Sequence, residues 1–342
     1  MLDDLKYIHA KDAQDALGIA EKQWQQLEHE FTLDWTPSTK ITNIVMAGMG
    51  GSALAGLIGT SWPTVTVPFE ICRNYTAPVY VNENTLFVAS SYSGNTEETL
   101  SALKQAEEKG AQIVILTSGG ELQSIAEQKK YPILLLPSAS QPRFGVLYGL
   151  NALVTLFSKA KVLPSQESVK ELRGASAFIK KSVQQWLPTI PSANNPAKKL
   201  ALDAIGKSPV IYAGPMLYPA AYKWKISFNE NAKNVAWSGQ LPEFNHNEFI
   251  GWSSHPVEKP YKVIDLHSNL EHERVQRRFE VSDRLLSGKR PKAHVVEAQG
   301  DSVLQHLLWT VVFGDFVSLY TALLNGLNPS PVDLIEKFKK EL

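Results

Sequence analysis

Short apolar runs recur along the first half of the chain, and each is followed by a stretch with helical spacing. N-I-V-M-A fills 43–47, L-F-V-A fills 86–89, Q-I-V-I-L fills 112–116 and I-L-L-L fills 133–136. Runs of this length, rich in branched apolar residues and bounded by turn residues, predict buried strands, with a shorter one over 68–72. Between them, apolar positions at three- and four-residue intervals predict helices to about residue 59 and over 96–109 and 121–129. A long apolar helix is expected over 146–160 and a more polar one over 166–186. Residues 11–30 predict one amphipathic helix, with Ala16, Leu17, Ile19, Ala20, Trp24 and Leu27 as its stripe.

The second half repeats this order. It predicts a helix over 197–206, a strand over 209–213, a helix from about 218, strands over 262–266 and 293–297, and a closing helix over 302–325. Strands alternating with helices predict an α/β fold with parallel sheets, and two halves of similar order predict a pseudo-duplication. The Pro/Asn-rich stretch 187–196 marks a boundary. The expected division is 1–158, a helical connector and linker over 159–196, and 197–342.

Two strand-to-helix junctions carry unusual chemistry. G-M-G-G-S spans 48–52, and its glycines permit close backbone approach to a ligand. S-S-Y-S-G-N-T spans 90–96 and places hydroxyls at the start of the next helix. A helix start offers unpaired N–H groups and the positive end of a dipole, which suits a phosphate. Ser52, Ser91, Ser93 and Thr96 would add hydroxyls to the same anion. Two such units converge at the carboxyl edge of one parallel sheet.

Composition narrows the partners. Lys plus Arg equals Asp plus Glu at 34 each, so no basic field favours nucleic acid or an anionic membrane, and any phosphate site is local. One cysteine, Cys72, excludes an internal disulfide and suits a reducing compartment. The opening M-L-D-D-L-K-Y-I-H lacks the regions of a signal peptide, so a cytoplasmic location is expected. The most apolar long segment, 303–324, contains Gln305, His306 and Asp315 and is expected as a buried helix rather than a membrane span.

The two junction motifs, G-M-G-G-S and S-Y-S-G-N-T-E-E-T, together resemble the sugar isomerase (SIS) domain family. The P-R at 142–143, N-E-N-A-K at 229–233, L-P-E-F-N-H-N-E-F-I-G at 241–251 and N-P-S-P-V-D-L-I at 328–335 narrow the resemblance to the bifunctional phosphoglucose/phosphomannose isomerases, from about residue 43 onward. The resemblance implies two SIS-type, flavodoxin-like domains in a homodimer. It implies reversible isomerisation of glucose 6-phosphate and mannose 6-phosphate with fructose 6-phosphate through a cis-enediol, with no metal and no cofactor.

The same resemblance implies roles for individual residues. Gly51, Ser52, Ser91, Ser93 and Thr96 form the phosphate cradle, and Glu230 is the base between C1 and C2. His246 assists ring opening from the partner subunit, Arg143 stabilises enediolate charge, and Lys337 contacts ring oxygens. Ser330 stands where the family usually has threonine, which bears on the choice between the two epimers. Apart from the resemblance, Glu230, His246, Arg143 and Lys337 read as surface residues. The setting of Glu230 between Phe228 and Ala232, flanked by asparagines, predicts partial burial.

Other readings explain less. Gly48, Gly50 and Ala53 fit G-x-G-x-x-A after a strand, and Glu70 lies 22 residues beyond Gly48, as a dinucleotide-binding Rossmann enzyme requires. That reading leaves 91–96 and all the C-terminal motifs unused. A sugar-phosphate sensor without catalysis would keep the serines and need neither Glu230 nor His246. A metal site on His267 and His272 lacks a third ligand at useful spacing.

Overall fold

The N-terminal segment is broken where one helix is expected. α1 (Leu5–Lys11) stops at Asp12, whose carboxylate accepts Ala16 N–H at 2.8 Å and Leu17 N–H at 2.9 Å, and α2 (Ala16–Glu21) begins there. An acid that satisfies the free donors of a helix start ends one helix and opens the next. The computed structural model describes residues 1–139, 141–253, 260–339 and 341. The chain divides into two units, one formed by Gln23–Ala177 and the other by Met1–Lys22 with Phe178–Leu342.

The first of these contains β1 (Asn43–Ala47), α3 (Gly50–Gly59), β2 (Phe69–Cys72), β3 (Thr85–Ser91), α4 (Glu97–Glu108), β4 (Gln112–Thr117), α5 (Gly120–Lys129), β5 (Ile133–Leu135) and α6 (Val146–Lys159). The sheet is parallel throughout, in the order β2-β1-β3-β4-β5. Alternate residues of each strand serve opposite faces. Ile44, Met46, Leu86 and Val88 pack with Leu153, Leu156 and Phe157 of α6. Val45, Ala47, Phe87 and Ala89 pack with Ala102, Leu103 and Ala106 of α4. Burial on both faces explains why these strands read as unbroken apolar runs. The order reverses between β1 and β3, and ligands of open α/β sheets bind at such a switch point, beyond the strand ends.

α7 (Glu167–Ser182) carries the chain from one unit into the other. The second unit continues with α8 (Pro196–Ala204), β6 (Ser208–Ala213), α9 (Tyr218–Glu230), β7 (Trp237–Gln240), α10 (Glu248–Gly251), β8 (Tyr261–His267), α11 (Glu273–Leu285), β9 (His294–Glu297), α12 (Val303–Leu324) and α13 (Asp333–Lys339). Its parallel sheet has the order β7-β6-β8-β9, which matches β2-β1-β3-β4 strand for strand. α12 runs through the interior. It is the one helix among the described residues long and apolar enough to cross a membrane, and 89% of its most apolar window is buried inside the protein. Its neighbours hold it by polar contacts as well: Tyr7 Oη donates to Leu323 O at 2.7 Å and Trp224 Nε1 to Thr310 O at 2.8 Å.

Candidate active site

Within the Gln23–Ala177 unit, Ala47 and Ala89 are partners in the sheet, so the loops after β1 and β3 leave it side by side. Ser52, in the first turn of α3, accepts Tyr92 N–H on its Oγ at 2.9 Å and joins the two loops. Ser91 ends β3 and is buried. Its hydroxyl lies 2.7 Å from Thr96 Oγ1 and 3.4 Å from Ser93 Oγ, and it accepts Gly94 N–H at 3.1 Å. Thr96 is the N-cap of α4 but makes no side-chain capping bond. Its hydroxyl turns to Ser91, so the cap residue's side chain leaves the N–H groups at this helix start to an anion.

Neighbouring turns hold this loop in shape. Gly94 has φ +74°, and a Cβ there would lie 1.9 Å from Gly119 O, so only glycine fits. Asn95 Oδ1 accepts Glu121 N–H at 2.9 Å, and Ser118 N–H donates to Tyr92 O at 3.1 Å. Gly51 serves close approach: a Cβ would stand 3.0 Å from the backbone of Pro142 and Arg143. That gap brings the 3-10 turn Pro142–Phe144 onto the start of α3. Arg143, which reads as a surface residue in the sequence, is 1% exposed, with its guanidinium 4.9 Å from the Phe144 ring and Nη1 donating to Gln141 Oε1 at 3.3 Å.

In the other unit, Glu230 is the last residue of α9 and is half-buried, as its neighbours predict. Lys233, which the motif contains but sequence reasoning did not single out, organises the surroundings. Its ammonium donates to Asn231 O at 3.3 Å, Asn328 O at 3.0 Å and Pro329 O at 3.1 Å. The 229–233 and 328–335 motifs, far apart in the chain, thereby meet. Ser330 is buried in this cluster, its N–H bonded to Asn328 Oδ1 at 3.1 Å.

His246 and Lys337 stand exposed on elements of their own. The turn carrying His246 is firmly held. Phe244 is buried, Asn245 Nδ2 donates to Ser282 Oγ at 2.9 Å, and Arg278 donates to Asn245 Oδ1 at 3.2 Å. The imidazole itself makes no hydrogen bond with another described residue. Lys337 lies on α13, which buries no residue of its own.

The loops after β6 and β8 correspond to the hydroxyl-lined loops after β1 and β3, but their chemistry is opposite. The Glu271 carboxylate accepts Met216 N–H at 3.0 Å, at the junction between β6 and α9. An acid there repels a phosphate. Residues of the other readings have local tasks. Glu70 accepts the Tyr80 hydroxyl at 2.5 Å, His267 Nδ1 lies 3.5 Å from Glu297, and His272 Nδ1 caps α11 by accepting Arg274 N–H at 3.0 Å. No cluster of three or more His, Cys, Asp or Glu suited to a metal occurs among the described residues.

Comparison with known proteins places these features in company. Residues 39–157 match the SIS domain, and residues 193–342 match the bacterial phospho-glucose isomerase C-terminal SIS domain. The chain is 33% identical over 307 residues to a bifunctional phosphoglucose/phosphomannose isomerase of Caldicellulosiruptor bescii, covering 88% of this chain and 90% of that protein. It is 34% identical over 252 residues to a D-glucosamine-6-phosphate 4-epimerase of Sulfolobus acidocaldarius, covering 71% and 77%. A glucose-6-phosphate isomerase like protein from Thermus thermophilus shares the fold, with a TM-score of 0.65 and 16% identity over 99% of this chain and 98% of that one.

Proposed function

The chain belongs to the bifunctional phosphoglucose/phosphomannose isomerase family, and on that premise we propose that it interconverts glucose 6-phosphate and mannose 6-phosphate with fructose 6-phosphate. Gly51, Ser52, Ser91, Ser93 and Thr96 hold the phosphate. Glu230 takes the C2 proton of the open-chain aldose, leaving a cis-enediolate, and returns it to C1, while the O2 hydroxyl proton passes to O1, so that C2 becomes the carbonyl of the ketose. Arg143 balances the charge that develops on the enediolate. His246 of the partner subunit assists ring opening, and Lys337 contacts the ring oxygens. The substrate is neither oxidised nor reduced, so proton transfers suffice and the reaction calls for no redox cofactor. The assembly in this reading is a cytoplasmic homodimer. The observation that supports it most is the ammonium of Lys233, which ties the carbonyl of Asn231, next to half-buried Glu230, to the carbonyls of Asn328 and Pro329, next to buried Ser330.

The deciding experiment offers both aldose phosphates, with D-glucosamine 6-phosphate in parallel, and identifies the products. Glucose and mannose 6-phosphates differ only at C2, so one base serves both only if the open chain turns about C2–C3. Ser330 keeps the hydroxyl of the usual threonine and lacks its methyl, a change of about 1 kcal/mol at most in a polar pocket. Both aldoses are therefore expected to turn over at rates within roughly tenfold of each other. Ser330→Thr shifts the ratio modestly, and Ser330→Gln fills the space and suppresses mannose 6-phosphate selectively. Equal loss of both activities in the glutamine variant would remove Ser330 from epimer choice. Product from glucosamine 6-phosphate alone would overturn the isomerase assignment in favour of an epimerase.

The cradle has its own test. Ser91→Ala or Thr96→Ala is expected to weaken sugar-phosphate binding by about 1–2 kcal/mol, the range for one lost charge-assisted hydrogen bond. Inorganic phosphate is expected to compete with substrate. Unchanged affinity in both variants would mean that the phosphate binds elsewhere.

A further inference from the structure

The buried side of α9 carries a polar row, ending at its C-cap Asn231, among apolar residues such as Ala220, Trp224 and Phe228. Lys223, Ser227 and Asn231 follow at four-residue spacing on one side of the helix, and each is fully buried. α12 answers with Asp315 and Ser318, also fully buried. Lys223 Nζ donates to Ser227 Oγ at 2.7 Å and pairs with Asp315. Ser227 Oγ donates to Asp315 Oδ1 at 2.9 Å, Asn231 Nδ2 to Ser318 Oγ at 2.9 Å, and Ser318 Oγ to Asp315 O at 2.9 Å. Trp224, Phe228, Phe313 and Phe316 supply the apolar contacts between and around the same two helices.

Stability does not account for this arrangement. An ion pair withdrawn from water gives up its hydration, and an apolar pair of the same volume often stabilises a fold equally well or better. What the pair adds is registry: apolar faces can slide and rotate past each other, whereas hydrogen-bonded charges accept one alignment. Glu230 directly precedes Asn231 and follows Ser227 by three residues, so it sits between the last two rungs. A slip of one residue moves it about 1.5 Å along the helix axis. A displacement of about 1 Å in a reacting group can cost on the order of a hundredfold in rate.

We infer that Lys223, Ser227, Asn231, Asp315 and Ser318 form a registry ladder that positions the Glu230 carboxylate for proton transfer, an inference that rests on Glu230 being the base. None of the five is assigned contact with substrate; they are positioning residues. The ladder explains why α9 retains a buried cation two turns before its end, and why α12 carries an acid at its centre.

The test replaces the ion pair by apolar side chains of similar size, Lys223→Met with Asp315→Leu. A fold held only by packing tolerates this exchange. The double variant is expected to melt near the wild-type temperature and to keep KM for fructose 6-phosphate within about twofold, while kcat falls by about thirtyfold or more. With aldose deuterated at C2, its primary isotope effect is expected to exceed that of the wild type, because proton transfer has become slower. Ser318→Ala, which removes only the last rung, is expected to show a smaller loss of the same kind. A folded double variant with wild-type kcat and isotope effect would overturn the inference. If the double variant does not fold, wild-type kcat in Ser318→Ala overturns it instead. Glu230→Gln is measured alongside. Retained turnover there removes the base assignment itself, whereas an inactive Glu230→Gln with fully active ladder variants removes only the ladder.

Discussion

Glu230→Gln is expected to lower kcat for both aldoses by about a thousandfold and to leave KM within about threefold. Glutamine keeps the size of the side chain and its capacity to accept a hydrogen bond, but it does not take up a proton. Positioned acid–base catalysis contributes roughly 10²–10⁴ in rate, and the middle of that range is the expected loss. KM holds because the affinity for substrate is assigned to the hydroxyls of Ser52, Ser91, Ser93 and Thr96, none of which the substitution touches. Turnover in heavy water gives a second reading of the same step. The wild-type protein should wash deuterium into C2 of recovered substrate faster than the variant does. A glutamine variant within tenfold of wild type by both measures would assign the proton to another group.

His246→Ala is expected to lower kcat by about a hundredfold on the cyclic sugars, since ring opening needs a proton donor and acceptor at the ring oxygen and O1. The more telling experiment mixes the two inactive proteins. If His246 serves the neighbouring subunit's site, a hybrid of Glu230→Gln with His246→Ala has one complete site and one doubly defective site. Random exchange makes about half the dimers hybrid, so activity should recover to about a quarter of the wild-type value. The exposed imidazole, on a turn held by Phe244 and Asn245, suits a side chain offered outward from a fixed base. No recovery after proven exchange would place His246 in its own chain's site.

Much of the fold is legible because the strands are buried on both faces. β3 and β4 are buried at every position, and between their polar ends the runs 86–89 and 113–116 contain no polar residue to blur the pattern. The motif-bearing loops are legible for a similar reason, since glycine and serine at a strand end have few other uses. Elements that depend on distant partners are not. β7 reads W-S-G-Q, with no strand pattern, and exists because Val210 and Ile211 pair with Trp237 and Ser238. α11 is so charged that it buries only Val275, Phe279 and Ser282. The expected single helix over 11–30 fails at Asp12, where a local hydrogen bond outweighs the apolar stripe. At the site, Arg143 reads as exposed because nothing near it in the sequence signals its burial, and the close approach of its backbone to Gly51 joins residues far apart in the chain. Lys233 gives no local signal for the three carbonyls it gathers.

The buried course of α12 bears on how this protein is made. Before α8 and α9 close around it, Val303–Leu324 offers a nascent chain the same cue that targeting and insertion machinery reads as an anchor. Its packing partners α8 and α9 precede it in the chain and leave the ribosome first, so α12 emerges onto surfaces already waiting to receive it. Overproduction raises the concentration of molecules that have not yet completed that docking. Such molecules expose their stickiest segment to one another, and inclusion bodies are the expected form of loss.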